Sequence, residues 1–235
     1  MSEPNQVPAA PIFRERPTDF VIRDAFVLGA VPLALAGLAG LAGFASLGFV
    51  CLGLTVFVAC FFRNPPRFIP EDPVCVVAPA DGRVIDVGEV ETPDGEKWLR
   101  IGIFLSVFNV HVNRCPLAGR VIDLERGGDR YLAAFNRDAE TANVRCGMTL
   151  ETESGDRFQV VQITGLIARR ILCFPEVGEW VNRGDRYGYI RFGSRTDVLL
   201  PTRAVAKVRR GDRVKGGSSI VAHLAAPVAQ PEESA

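Results

Sequence analysis

From Ala25 to Phe62 the chain runs 38 residues without one charged side chain. A bilayer core takes roughly 20 apolar residues per helix, with a lower limit near 17, so this stretch is too long for one span and fits two short ones. The expectation is a membrane-embedded helical hairpin over residues 25–62. Its break falls near Gly43-Phe44-Ala45-Ser46-Leu47-Gly48, where two glycines and a serine supply turn chemistry. Ala36 and Gly40, and Ala39 and Gly43, are small residues four apart, the spacing that lets two helices approach closely. Arg14, Arg16 and Arg23 precede the run and Arg63 and Arg67 follow it, which sets both ends on the cytoplasmic side of the cell membrane. A cleaved signal peptide is disfavoured, because residues 1–24 are mostly polar with several prolines and the apolar run exceeds an h-region. A hairpin buried in a soluble protein would need a partner face as apolar as lipid.

The charges exclude other classes. The 27 basic residues balance 27 acidic ones, leaving no long-range field to steer a polyanion, so no nucleic-acid partner is expected. Two histidines cannot build a multi-histidine metal centre. The six cysteines, Cys51, Cys60, Cys75, Cys115, Cys146 and Cys173, show no C-x-x-C and no ligand spacing, so no metal is expected and they read as reduced packing residues.

After Phe62 the texture changes. Pro65-Pro66 and Pro70 mark a stiff linker over residues 63–73, a β-patterned domain occupies residues 74–225, and a flexible tail closes the chain at 226–235. The pattern predicts strands at 74–78, 83–90, 97–105, 120–125, 148–152, 158–163, 171–173, 187–191, 197–200 and 204–208. Turns fall at Asp81-Gly82, Asp94-Gly95, Ser154-Gly155, Arg183-Gly184-Asp185 and Arg210-Gly211-Asp212, with one helical piece over 164–170. The predicted fold is therefore mainly β, a sandwich or barrel behind an N-terminal helical membrane hairpin.

The scarcest residues carry the chemistry. His223 sits between Ala222 and Leu224 near the end of the domain and reads as structural or exposed. His111 follows the apolar run Ile101–Leu105 in a polar stretch at a strand end, and only its side-chain type titrates near neutrality without help. Asp81, in Ala80-Asp81-Gly82, taken alone is a turn aspartate satisfying its own backbone. Ser194, in Phe192-Gly193-Ser194-Arg195, taken alone is a glycine-serine bulge in a strand. The G-x-S-x-G of a nucleophile elbow is not met around Ser194, so a serine hydrolase is unsupported. With no Cβ on Gly193, however, the serine hydroxyl can fold back onto the carbonyl carbon preceding it.

These residues together resemble the phosphatidylserine decarboxylases. The likeness runs from Phe61-Phe62-Arg63-Asn64-Pro65-Pro66-Arg67 through Ala78-Pro79-Ala80-Asp81-Gly82, Phe104-Leu105-Ser106 and His111-Val112-Asn113-Arg114. It continues in order through Gly165–Ile171 to Ile190–Arg195 and Pro201. Phe192-Gly193-Ser194-Arg195 is similar to the self-cleavage site of the family's short subfamily. Longer members carry H-x-x-H where this chain has His111 and Arg114, which leaves one histidine for two proton transfers.

The resemblance implies that Asp81 orients His111, that His111 takes the proton from Ser194, and that Ser194 attacks the Gly193 carbonyl. Cleavage between 193 and 194 would convert Ser194 into a pyruvoyl cofactor, the electron sink for losing carbon dioxide from phosphatidylserine to give phosphatidylethanolamine. The partners implied are the phospholipid, the membrane, and the enzyme's own two chains, a large β-chain (1–193) with a small α-chain (194–235); assembly into a homo-oligomer stays open. Arg114, Arg169 and Arg170 are candidates for the lipid's anionic groups. The alternative is a membrane-anchored biotinyl- or lipoyl-like β-domain with a binding or scaffolding role, against which stands the lack of a lysine in Val181–Tyr189.

Overall fold

A computed structural model of the chain describes residues 23–92, 95–132, 142–166, 171–190 and 193–225. Two helices come first. α1 (Arg23–Leu41) and α2 (Ala45–Phe61) are joined by a tight turn in which the Phe44 and Ala42 N–H groups donate to the Ala39 and Leu38 carbonyls. The small residues do meet: a side chain at Gly48 would touch the Ala36 carbonyl oxygen at 3.4 Å and the Gly40 nitrogen at 3.8 Å.

The hairpin therefore forms where the apolar run predicts it, but the expected membrane span is not supported. The turn consumes part of the run, and the helices of 19 and 17 residues rise only about 28 and 26 Å, against a hydrocarbon core of about 30 Å. Among the described residues no helix is long and apolar enough to cross a membrane. The outer faces are apolar nonetheless, with Leu41, Phe49 and Phe26 at 89, 74 and 70 % exposure.

The rest is mainly β, as the turn spacing predicts. One antiparallel sheet has the order β13 (Arg213–Val214), β2 (Gly82–Glu91), β3 (Lys97–Leu105), β11 (Ser194–Pro201), β7 (Arg157–Ile163), β6 (Arg145–Glu151), β5 (Gly119–Gly127), β9 (Trp180–Val181). A second sheet sets β14 (Ile220–Leu224) between β1 (Cys75–Val77) and β12 (Ala204–Ala206). A third sets β10 (Arg186–Ile190) between β4 (Val112–Arg114) and β8 (Ile171–Cys173). The large sheet curls as a half-barrel rather than closing, with β13 and β9 as its edges.

Alternation builds the core. Ile101, Ile103 and Leu105 on β3, Phe158 and Val160 on β7, Met148 and Leu150 on β6, and Val198 and Leu200 on β11 all point inward and are buried. Each contributes roughly 1.5–3 kcal/mol, so a one-residue slip of any strand would forfeit several such terms. Strands β4, β9, β13 and β14 are too short or too irregular to announce themselves in the sequence. The helix expected over 164–170 is absent from Thr164 to Leu166, and 167–170 lie outside the described residues. All six cysteines are free thiols.

Candidate active site

The register of β3 and β11 sets the stage. Ser194 opens β11 opposite Leu105, the last residue of β3, so the chain leaves β3 beside the serine and reaches His111 just before β4. The His111 carbonyl accepts a 3.4 Å hydrogen bond from the Ile190 N–H at the end of β10, a short step ahead of Ser194 in the chain. Strand pairing thus carries both residues to one end of the domain.

Both are buried, Ser194 at 0 % and His111 at 2 % exposure, and neither Ser194 Oγ nor His111 Nε2 has a hydrogen-bond partner among the described residues. Leaving such an atom unpaired costs about 1–3 kcal/mol, a cost that folds tolerate chiefly at sites of chemistry. Gly193 adds backbone strain. Its φ is +59°, a left-handed conformation that side chains resist, although a Cβ there would meet nothing within 4 Å. Backbone conformation, rather than space, therefore demands glycine ahead of the serine.

His111 is held on two sides. Its Nδ1–H donates to the Asn109 carbonyl at 3.0 Å, and since a carbonyl can only accept, Nε2 is left as the basic nitrogen. The ring lies against Phe61 at 4.1 Å between centroids and 30° between planes. Burial lowers the imidazole pKa to about 4; the Asn109 carbonyl pulls it upward and the nearby Arg63 charge pushes it down. His111 is therefore a neutral base at physiological pH. Asn109 is itself locked, its Oδ1 accepting from the Ser106 N–H (2.9 Å) and Oγ–H (2.7 Å) while its own N–H donates to the Ser106 carbonyl.

Asp81, expected to orient His111, is placed elsewhere. Both of its carboxylate oxygens accept from Arg67 at 2.8 Å, and Oδ1 also accepts from the Gly216 N–H. Asp81 and Asn109 instead line a common cavity of about 460 Å³ with Ser106. Among the described residues, the group that orients His111 is the Asn109 carbonyl. A roomier cavity of about 830 Å³, around Pro70, Thr152 and Trp180, includes none of these residues, so its size says nothing about the chemistry.

The segment Phe61–Arg67 straps the site together. Phe61 covers His111, and Phe62 meets Tyr189 edge-on at 6.2 Å. Arg63 donates to the Phe108 carbonyl, Asn64 Oδ1 accepts from Arg114 at 2.6 Å, and Arg67 holds Asp81. Arg114, predicted to bind substrate, also donates to the Gly184 and Pro65 carbonyls; burial, then the neighbouring Arg67 and Arg186, lowers its pKa to about 10. It ties the linker to the hairpin turn that contains Gly184. Arg169 and Arg170 lie outside the described residues.

Two features escaped the sequence reading. Arg195 and Asp197 form a buried bidentate pair on one face of β11, with bonds of 2.5 and 2.7 Å. A Cβ at Gly102, opposite on β3, would meet that pair at 3.0–3.1 Å. The R-x-D spacing in a strand beside a lone strand glycine was the available signal. Asn109 gave none, because its role is played by a backbone carbonyl.

Comparison with known proteins now bears on this geometry. The sequence profile described as phosphatidylserine decarboxylase matches residues 54–222, from within α2 to within β14. The chain belongs to the phosphatidylserine decarboxylase family. It is 47 % identical to the phosphatidylserine decarboxylase proenzyme of Symbiobacterium thermophilum, over 87 % of this chain and 95 % of the relative. It is 43 % identical to that of Geotalea daltonii, over 81 % and 96 %, and 47 % identical to that of Geotalea uraniireducens, over 74 % and 82 %. The region matched to the phosphatidylserine decarboxylase profile contains the strap, His111, Asp81 and the Gly193–Ser194 bond.

Proposed function

We propose that this chain is a self-cleaving phosphatidylserine decarboxylase that converts phosphatidylserine to phosphatidylethanolamine and carbon dioxide, with Ser194 as the precursor of a pyruvoyl group. The observation that carries the site assignment is that two buried polar atoms at one end of the domain, Ser194 Oγ and His111 Nε2, lack hydrogen-bond partners among the described residues, with a left-handed Gly193 ahead of the serine. His111 Nε2 takes the Ser194 hydroxyl proton, and Oγ attacks the Gly193 carbonyl carbon, so the amide becomes an ester and Ser194 gains a free amino terminus. Removal of the Ser194 Cα proton expels the Gly193 carboxylate. Water then replaces the nitrogen, releasing ammonia and leaving a ketone beside the next amide.

The residues present fit that group. The orphaned hydroxyl is the atom to be lost, and the open space beside Gly193 gives the scissile peptide room to rearrange. Once formed, a pyruvoyl group supplies an electron sink for carbon dioxide loss. This chain's own contribution would be to exclude water, through Phe61 and the burial around His111, and to return to the carbon that has lost its carboxylate a proton that His111 Nε2, neutral at rest, has first taken from the substrate's ammonium group. Asp81 acts at one remove, fixing Arg67 and the Gly216 backbone beside the cavity it shares with Asn109.

Cleavage would not separate the products. β11 lies between β3 and β7 at the middle of the large sheet and β14 lies between β1 and β12, so the small chain 194–235 is threaded through strands of the large chain 1–193. The apolar hairpin is the seat on the cell membrane. It lies within the cytoplasmic leaflet rather than across the bilayer, with the β-domain facing the cytoplasm, which suits helices shorter than a span and a substrate whose headgroup sits at the interface.

The test is a mass spectrum of the purified protein. The expected result is two chains, with the small chain beginning at a pyruvoyl group in place of Ser194, and with carbon dioxide released from phosphatidylserine. Ser194→Ala should give one intact chain and no activity. An intact wild-type chain that releases carbon dioxide would overturn the cofactor assignment, and a cleaved chain that releases none would overturn the reaction. The carrier-domain alternative is not favoured, since nothing at 181–189 offers an acceptor lysine.

A further inference from the structure

The arginines beside the site differ in what they already hold. Arg67 is neutralised by Asp81, and Arg114 is closed by three protein oxygens. Arg63 donates only to two neutral carbonyls, Cys60 O at 2.6 Å and Phe108 O at 2.8 Å, and among the described residues no carboxylate pairs with it. Its guanidinium is accessible at those contacts and keeps three of its five N–H donors. The Cys60 carbonyl belongs to the end of α2, whose partial negative charge of about one half offsets only part of the cation.

Its position is as telling as its charge. Arg63 is the first charged residue after the 38-residue apolar run, which on the proposed membrane seat sets it where acyl chains give way to headgroups. Its Nη2 bond to Phe108 ties it to the loop that leads into His111, and Phe108 itself presents its ring outward at 76 % exposure. That loop is fixed by the Ser106–Asn109 contacts, so Arg63, Phe108 and His111 keep one spacing.

We propose that Arg63 binds the phosphodiester of the lipid substrate while Phe108 packs among the acyl chains beside it. This rests on the decarboxylase reading. The substrate carries two anions, and physical chemistry separates them. The carboxylate gives up its charge as carbon dioxide leaves, so a cation upon it would favour the ground state over the transition state. The phosphodiester keeps its charge throughout. A guanidinium there anchors the lipid without opposing the reaction, and it leaves the serine end free to reach toward His111, which lies against Phe61.

The experiment uses processed Arg63→Gln enzyme in mixed micelles, with chain masses checked first. Two probes are compared: phosphatidylserine, and an O-acylserine that keeps the amine, carboxylate and apolar tail but has no phosphate. The expected result is a KM for phosphatidylserine raised on the order of 10- to 100-fold with kcat within about threefold, partly restored by Arg63→Lys. Turnover of the O-acylserine, or inhibition by it where it is not turned over, should change less than about twofold. Equal loss on both probes would make Arg63 a brace for the Phe108 loop and overturn the proposal, as would an unchanged KM. Absence of carbon dioxide release by the wild type from phosphatidylserine is a different outcome: it would sink the decarboxylase reading itself.

Discussion

Two buried polar groupings lie side by side at the start of β11, and they are built on opposite principles. Arg195 and Asp197 satisfy each other with two short bonds, at 4 and 3 % side-chain exposure. Ser194, one residue earlier and equally buried, has no partner for its hydroxyl among the described residues, and the same holds for His111 Nε2. The difference teaches how to read polar burial here. A closed pair fixes structure, while an open one is held ready for a bond that has yet to form.

The largest effect should come from opening the closed pair. Arg195→Leu removes the guanidinium that pairs with the buried Asp197 carboxylate, and breaking a buried pair in this way costs roughly 3–5 kcal/mol. Replacing both residues, as Arg195→Leu with Asp197→Val, should recover most of that loss, because no charge is then left behind. Denaturant unfolding on a Ser194→Ala background, where the chain stays single, is the measurement. A double variant as unstable as Arg195→Leu would show that the pair does more than neutralise itself.

Next in size is the pH response of the open pair. Burial holds His111 near pKa 4 against 6.5 in an unfolded chain, so the folded state binds fewer protons between those values. Stability is full above about pH 6.5 and falls as pH drops toward 4, by roughly 3 kcal/mol at most. His111→Gln should flatten that part of the profile. Self-cleavage should lose its base only near pH 4; a midpoint near 6.5 would mean that His111 is solvated when it acts.

How much of this could be read beforehand follows from the range of each interaction. The β-domain was legible because alternation and turn residues act locally, and β3 and β8 fall at the predicted boundaries. His111 was legible as one of only two histidines, and Gly193-Ser194 as a glycine directly ahead of a serine. Asp81 was legible as a residue but not in its contacts, because Arg67 and Gly216 reach it from far along the chain, at separations of 14 and 135 residues. The Phe61 contact with His111 was hidden for the same reason, and because Phe61 sat within what the pattern marked as lipid-facing sequence. The hairpin shows the converse limit. Composition located both helices, yet the residues taken by the turn, which decide whether a helix reaches across a bilayer, are a matter of geometry.

The smallest effect tests the hinge between the two groupings. Gly193 is left-handed at φ +59°, and alanine there costs about 1–2 kcal/mol of backbone strain while touching nothing within 4 Å. Two results are distinguishable. If the left-handed turn is needed for Oγ to reach the Gly193 carbonyl, Gly193→Ala slows self-cleavage by about 10-fold or more, read as the accumulation of intact chain over time, and the chain finally cleaves at the same bond. If the strain instead drives cleavage by being relieved in the ester, adding to it speeds the reaction. The sign of the rate change therefore says whether Gly193 permits the attack or powers it, and the closed pair next door, which keeps β11 in place, ensures that the difference is not blurred by the strand itself shifting.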